Sequence, residues 1–132
     1  RTFVFSTAAP PAMADALQTS LDILEEEPER RQALRINALG LRVRLREAGM
    51  DVAPGDSHII PIVVGDNEQA MAVARAMQIE GFDVRAIRPP SVPEGTARLR
   101  VSVNATLTGC GLDRFVSVLS AAWRPQPVPT GA

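Results

Sequence analysis

The stretch Ala97-Arg98-Leu99-Arg100-Val101-Ser102-Val103-Asn104 constrains the fold more than any other part of the chain. Apolar and polar residues alternate through it without a break, and a period of two puts every apolar side chain on one face of an extended strand. Such a strand needs a core on one side and tolerates solvent or a partner on the other. The chain therefore has to build its layers around a sheet with one polar face.

The flanking segments supply those layers. Met13, Leu17, Leu21 and Leu24 recur at helical spacing after Pro10-Pro11, a pair suited to a first helical turn, with the hydroxyls of Ser6 and Thr7 just ahead. The acidic run Glu25 to Glu27 and Pro28 interrupt that pattern, and a second helix is predicted to reach about Gly49. Its seam is Leu34, Ala38, Leu41, Leu45 and Ala48. Arg31, Arg35, Arg42 and Arg46 fall on other faces and read as solvated, with Glu25 to Glu29 near enough to balance them. Ile59 to Val64 is a continuous apolar run between Asp56-Ser57 and Gly65-Asp66-Asn67, the pattern of a strand covered on both faces. Pro61 places that strand at an edge, at a bulge or at its own start.

Asp66 or Asn67 caps a third helix carrying Ala70, Val73, Ala74 and Met77, and Gly81 ends it. Val84 to Ile87 suits a short strand. Thr108 precedes a last helix with Leu112, Phe115, Val116, Leu119 and Trp123 on one side, before a tail too rich in proline to continue it. The order helix, helix, strand, helix, strand, strand, helix predicts an α+β fold: a small, mostly antiparallel three-stranded sheet with helices on one face. With 132 residues, 45% of them hydrophobic, one core is expected.

Composition removes several classes of function. Fourteen basic residues against 15 acidic ones leave a net charge of -1, so no nucleic-acid or membrane partner is indicated. No run approaches the roughly 20 apolar residues that a membrane span needs. Cys110 is the only cysteine and His58 the only histidine, which excludes an internal disulfide, a cysteine-cluster metal site and a multi-histidine site. A lone cysteine fits a reducing compartment, the cytoplasm. Asp56-Ser57-His58 lie too close in sequence to converge as a catalytic triad, and His58 reads as an exposed loop residue. Every basic residue is arginine. With no lysine, the chain has no side-chain amine that could form an imine with a carbonyl cofactor, because a guanidinium stays protonated. The start at Arg1-Thr2-Phe3 reads as a cut inside a longer protein.

Chemistry concentrates between Ala86 and Arg100. Pro89, Pro90, Pro93 and Gly95 restrict the connection, and arginines flank it. A stiff loop bordered by guanidiniums suits a carboxylate, which a planar guanidinium grips through both oxygens. Arg98 and Arg100 share a face, so periodicity does not say which of them faces a ligand.

Val4-Phe5-Ser6-Thr7-Ala8-Ala9-Pro10-Pro11, Val64-Gly65-Asp66-Asn67 and the segment from Ile87 to Arg100 together resemble the α-oxoamine synthases, over nearly the whole chain. The resemblance implies a fold-type-I pyridoxal-phosphate homodimer whose N-terminal large domain, lying ahead of this chain, holds the catalytic lysine and most cofactor contacts. It implies residues 1–28 as an inter-domain segment and helix, 29–124 as a C-terminal α+β domain and 125–132 as a flexible tail. The chain alone is then expected to be inactive, with no catalytic residue and no metal site, and not to bind the cofactor. Arg88-Pro89-Pro90, where relatives usually carry a tyrosine-proline pair, resembles the member that condenses L-alanine with a pimeloyl thioester. By matching positions, Arg100 resembles the arginine that binds the amino-acid carboxylate, and Ser91 stands where a threonine usually contacts substrate. Arg88 has two readings, a lining of the acyl-chain entrance or plain surface structure. Ser6 and Thr7 match residues reaching the partner subunit's cofactor phosphate. Leu107 departs from the family, which usually has histidine there. The reading from another class is a free-standing α+β module that binds a small acid or regulates a partner.

Overall fold

The computed structural model describes residues 10–123, so Ser6, Thr7 and the tail at 125–132 lie outside the described residues. The elements are α1 (Pro11–Glu26), α2 (Pro28–Glu47), β1 (Ile59–Gly65), α3 (Asn67–Ile79), β2 (Arg85–Ile87), β3 (Ala97–Ser102) and α4 (Gly109–Ala122). This is the expected order. The chain divides into two compact units, one ending at Gln32 and one beginning at Ala33, and the division falls inside α2.

In the first unit, α1 starts on Pro11, and its cap position is held by Pro10 without a side-chain cap bond. No α1 residue is buried. The recurrent Met13, Leu17, Leu21 and Leu24 are all exposed, so the stripe that predicts the helix has no cover among the described residues. At the junction with α2, Glu27 accepts from Arg30 Nε, and its charge also holds the Arg30 guanidinium above its usual range. Arg31 Nη1 donates to the carbonyl of Leu24 at 2.6 Å.

The second unit holds the sheet, in the order β1-β3-β2. Both pairings are antiparallel, with Ile60 opposite Val101, Ile62 opposite Leu99 and Ala86 also opposite Leu99. That face carries Ala97, Leu99 and Val101 and is fully covered, as alternation requires. Against it pack Ala38, Leu41 and Leu45 of α2, Val73, Ala74 and Met77 of α3, and Leu112, Phe115 and Leu119 of α4. Phe82 and Phe115 meet edge to face with ring centroids 5.2 Å apart, and Arg114 lies over the Phe82 ring. The caps follow the sequence: Asp66 accepts from Gln69 N at 2.8 Å and Thr108 from Gly111 N at 3.3 Å.

Three expectations are corrected. β1 is not covered on both faces: Ile60 and Ile62 are buried while Val63 is 43% exposed, because helices pack on one side of the sheet only. β1 is an edge strand, which accommodates Pro61, and its outer side carries one isolated bridge, Val52 to Ile62. The α2 seam ends on Met50, beyond the helix, rather than on Ala48, because Gly49 at φ 79° turns the chain back toward the core. Arg42 is not solvated. Only 4% of it is exposed; Nη1 donates to the carbonyl of Ser57 at 2.6 Å, and Nε meets no acceptor among the described residues. The loop ahead of β1 folds over that position of α2, so a residue on the rim of the seam becomes enclosed.

Candidate functional site

The open face of the sheet is where the arginines gather. Register sets Arg100 between Pro61 on β1 and Arg85 on β2, and Arg98 between Val63 and Ile87. The structure separates the two guanidiniums that periodicity leaves equivalent. Arg98 is half-buried and committed: Nε donates to the carbonyl of Thr96 and Nη2 to its hydroxyl, both at 3.1 Å. Arg100 is exposed and takes no hydrogen bond or ion pair from the described residues, while Arg85 beside it is paired with Asp83 at 2.8 Å. A free guanidinium on an open face, with apolar Pro61 alongside, is chemically ready for a carboxylate.

The connection from β2 to β3 is closed by backbone geometry. Ser91 N donates to the carbonyl of Arg88 at 3.1 Å, making one turn, and Thr96 N donates to the carbonyl of Pro93 at 3.2 Å, making a second. Gly95 in that second turn has φ 72°, a conformation that favours glycine. Arg88 and Ser91 thus share a turn, and the Ser91 side chain is exposed. Arg88 lies against α3, lining a groove of about 270 Å³ with Asn67, Glu68, Met71 and Arg75. Since α3 packs on the covered face, Arg88 and Arg100 are on opposite sides of the sheet.

Two residues that sequence reading passes over organise this region. Thr96 links Arg98 to the loop, and its signal was the turn sequence Pro93-Glu94-Gly95-Thr96. Asn37, in the half of α2 belonging to the second unit, donates from Nδ2 to the carbonyls of Asn104 at 3.2 Å and Leu107 at 2.9 Å. Nothing in a helical pattern marks an asparagine for that task. Leu107 packs against the core and lines a cavity of about 230 Å³ with Leu41, Leu112 and Phe115. His58 and Cys110 are exposed, and no cluster of metal-ligating side chains occurs among the described residues. No helix of the described residues is long and apolar enough to cross a membrane.

This sheet and its helical cover are those of a pyridoxal-phosphate enzyme of fold type I: residues 1–119 match the aminotransferase class I and II family, and the chain belongs to it. Within that family it is similar to the α-oxoamine synthases. The 8-amino-7-oxononanoate synthase of Cupriavidus pinatubonensis is 41% identical over 132 residues, covering 96% of this chain and 32% of its own length. That of Aromatoleum aromaticum is 44% identical over 120 residues, covering 91% and 31%. A serine palmitoyltransferase solved with its pyridoxal-phosphate internal aldimine superposes with a TM-score of 0.83 at 31% identity, over 89% of this chain and 30% of that one. The chain thus spans about a third of the length of the curated relatives it matches.

Pyridoxal phosphate is the cofactor of this group. The residues present do not by themselves fit it: the chain has no lysine, and the free guanidinium of Arg100 is suited to a substrate acid rather than to a cofactor aldehyde.

Proposed function

We propose that the chain is the substrate-facing, C-terminal part of an acyltransferase that condenses L-alanine with a pimeloyl thioester, releasing carbon dioxide and the thiol carrier. The whole protein would be a cytoplasmic homodimer of 8-amino-7-oxononanoate synthase type, acting in biotin formation. Its N-terminal part, ahead of residues 1–28, would hold pyridoxal phosphate, which supplies an electron sink for carbanion chemistry when bound. The domain proper would run from 29 to 124.

The observation that carries this reading is the division of labour between Arg98 and Arg100: one is tied into the loop, the other is left free on the open face. Arg100 would grip the alanine carboxylate through both oxygens and fix the amino acid's orientation. Ser91 keeps the hydroxyl of the threonine it replaces and would contact substrate. Arg88, across the sheet, would border the entrance for the acyl chain. Ser6 and Thr7, outside the described residues, would reach the phosphate of the cofactor bound by the partner subunit.

Incubating the full-length protein with pyridoxal phosphate, L-alanine and a pimeloyl thioester tests the reading. Release of carbon dioxide that requires both substrates is the expected result; no release, with the cofactor bound, contradicts it. With free pyridoxal phosphate removed and its N-terminal amine blocked, the 132-residue chain alone should show no cofactor-imine band, and such a band would contradict the argument from the missing lysine.

A further inference from the structure

We infer that Arg98 is a positioning residue that acts through Thr96, fixing the loop that carries Ser91 and so setting the fit of the acyl thioester. The inference rests on the reading above that this face serves an acyltransferase.

The chain of contacts is continuous. Arg98 Nη2 donates to Thr96 Oγ1 at 3.1 Å, and that hydroxyl donates its own proton to the carbonyl of Pro93 at 2.7 Å. The same carbonyl accepts the backbone N–H of Thr96 at 3.2 Å, and Arg98 Nε holds the Thr96 carbonyl at 3.1 Å. Both the proton and a lone pair of the hydroxyl are therefore used, and the Pro93 carbonyl receives two donors. A guanidinium at the start of β3 is thereby latched to the turn that ends the loop.

Two properties make this more than local packing. The anchor is charged and half-buried between Val63 and Ile87, where a guanidinium bond is stronger than one between neutral groups. The bonds also occupy one of the two other cations that share a face with Arg100, and Asp83 pairs the second, Arg85, so among the described residues a carboxylate on that face meets a single free guanidinium. Arg100 itself takes no part in the latch. Loosening the latch should therefore disturb the substrate that depends on the loop and spare the one held by Arg100.

The test uses the full-length protein with Thr96→Val, Thr96→Ser and Arg98→Lys. Valine keeps the shape and removes the hydroxyl; serine restores it; a lysine head cannot reach the Thr96 carbonyl and hydroxyl in the fork geometry of arginine. Thr96→Val and Arg98→Lys should raise KM for the thioester about tenfold, the size expected for losing a bond to a charged group. The affinity for alanine, read from the cofactor absorbance, should stay within about twofold. Thr96→Ser should behave as the wild type. Unchanged thioester KM in Thr96→Val, equal losses for both substrates, or a serine variant as impaired as the valine one would each overturn the inference. Hydrogen exchange separates this from failure of the proposed function: should the wild type carry out no condensation, faster exchange at the Thr96 amide in Thr96→Val still supports the latch, and unchanged exchange defeats it.

Discussion

Arg85 and Arg100 stand directly opposite one another on the pair β2–β3, two cations facing the same open side of the sheet. Like charges opposite each other on antiparallel strands repel, and Asp83 at 2.8 Å offsets only Arg85. A structure that keeps such a pair keeps it at a cost in stability. Arg100→Gln should raise the urea midpoint of the 132-residue chain, by about 0.2–1 kcal/mol in stability, and high salt should shrink the gain. A lowered midpoint would mean that Arg100 has a stabilising contact.

Arg42 carries a second cost. Its side chain is 4% exposed, with one bond to the Ser57 carbonyl and Nε without an acceptor among the described residues. A buried charge held by a neutral group is poorly compensated, and an apolar chain of similar length fills the same space without that penalty. Arg42→Met should hold or raise stability in urea unfolding, while Arg42→Ala should lower it by about 2 kcal/mol or more through the space left empty. Equal losses in both variants would show that the charge itself stabilises the loop ahead of β1.

The Asn37 amide gathers carbonyls of the turn between β3 and α4. Asn37→Asp turns that donor into a carboxylate facing carbonyl oxygens, and it should destabilise the chain more than Asn37→Ala, which should cost about 1 kcal/mol. Thermal unfolding of both variants at neutral pH checks the order. An aspartate variant that is the more stable of the two would remove the amide from the account.

The parts of the fold that repeat were legible. Alternation from Ala97 to Asn104 announces β3 and its face, and the spacing of Ala38, Leu41 and Leu45 announces the α2 seam, because both patterns are local consequences of side-chain direction. What escaped depends on contacts distant in sequence. Arg42 reads as solvated until the loop at Ser57 closes over it, and β1 reads as doubly covered because an apolar run does not say on which side helices pack. Within the site, the shared face of Arg98 and Arg100 follows from the pleat. Their different duties do not, since those depend on where the turn at Pro93 to Thr96 brings a hydroxyl.

The most direct measurement is an alanine titration of the full-length protein, followed by the cofactor's visible absorbance, in the wild type and in Arg100→Ala. The account predicts an unaltered resting cofactor band and an alanine affinity weakened about tenfold or more, the size of a lost charge-assisted bond. An alanine affinity equal to that of the wild type would contradict it.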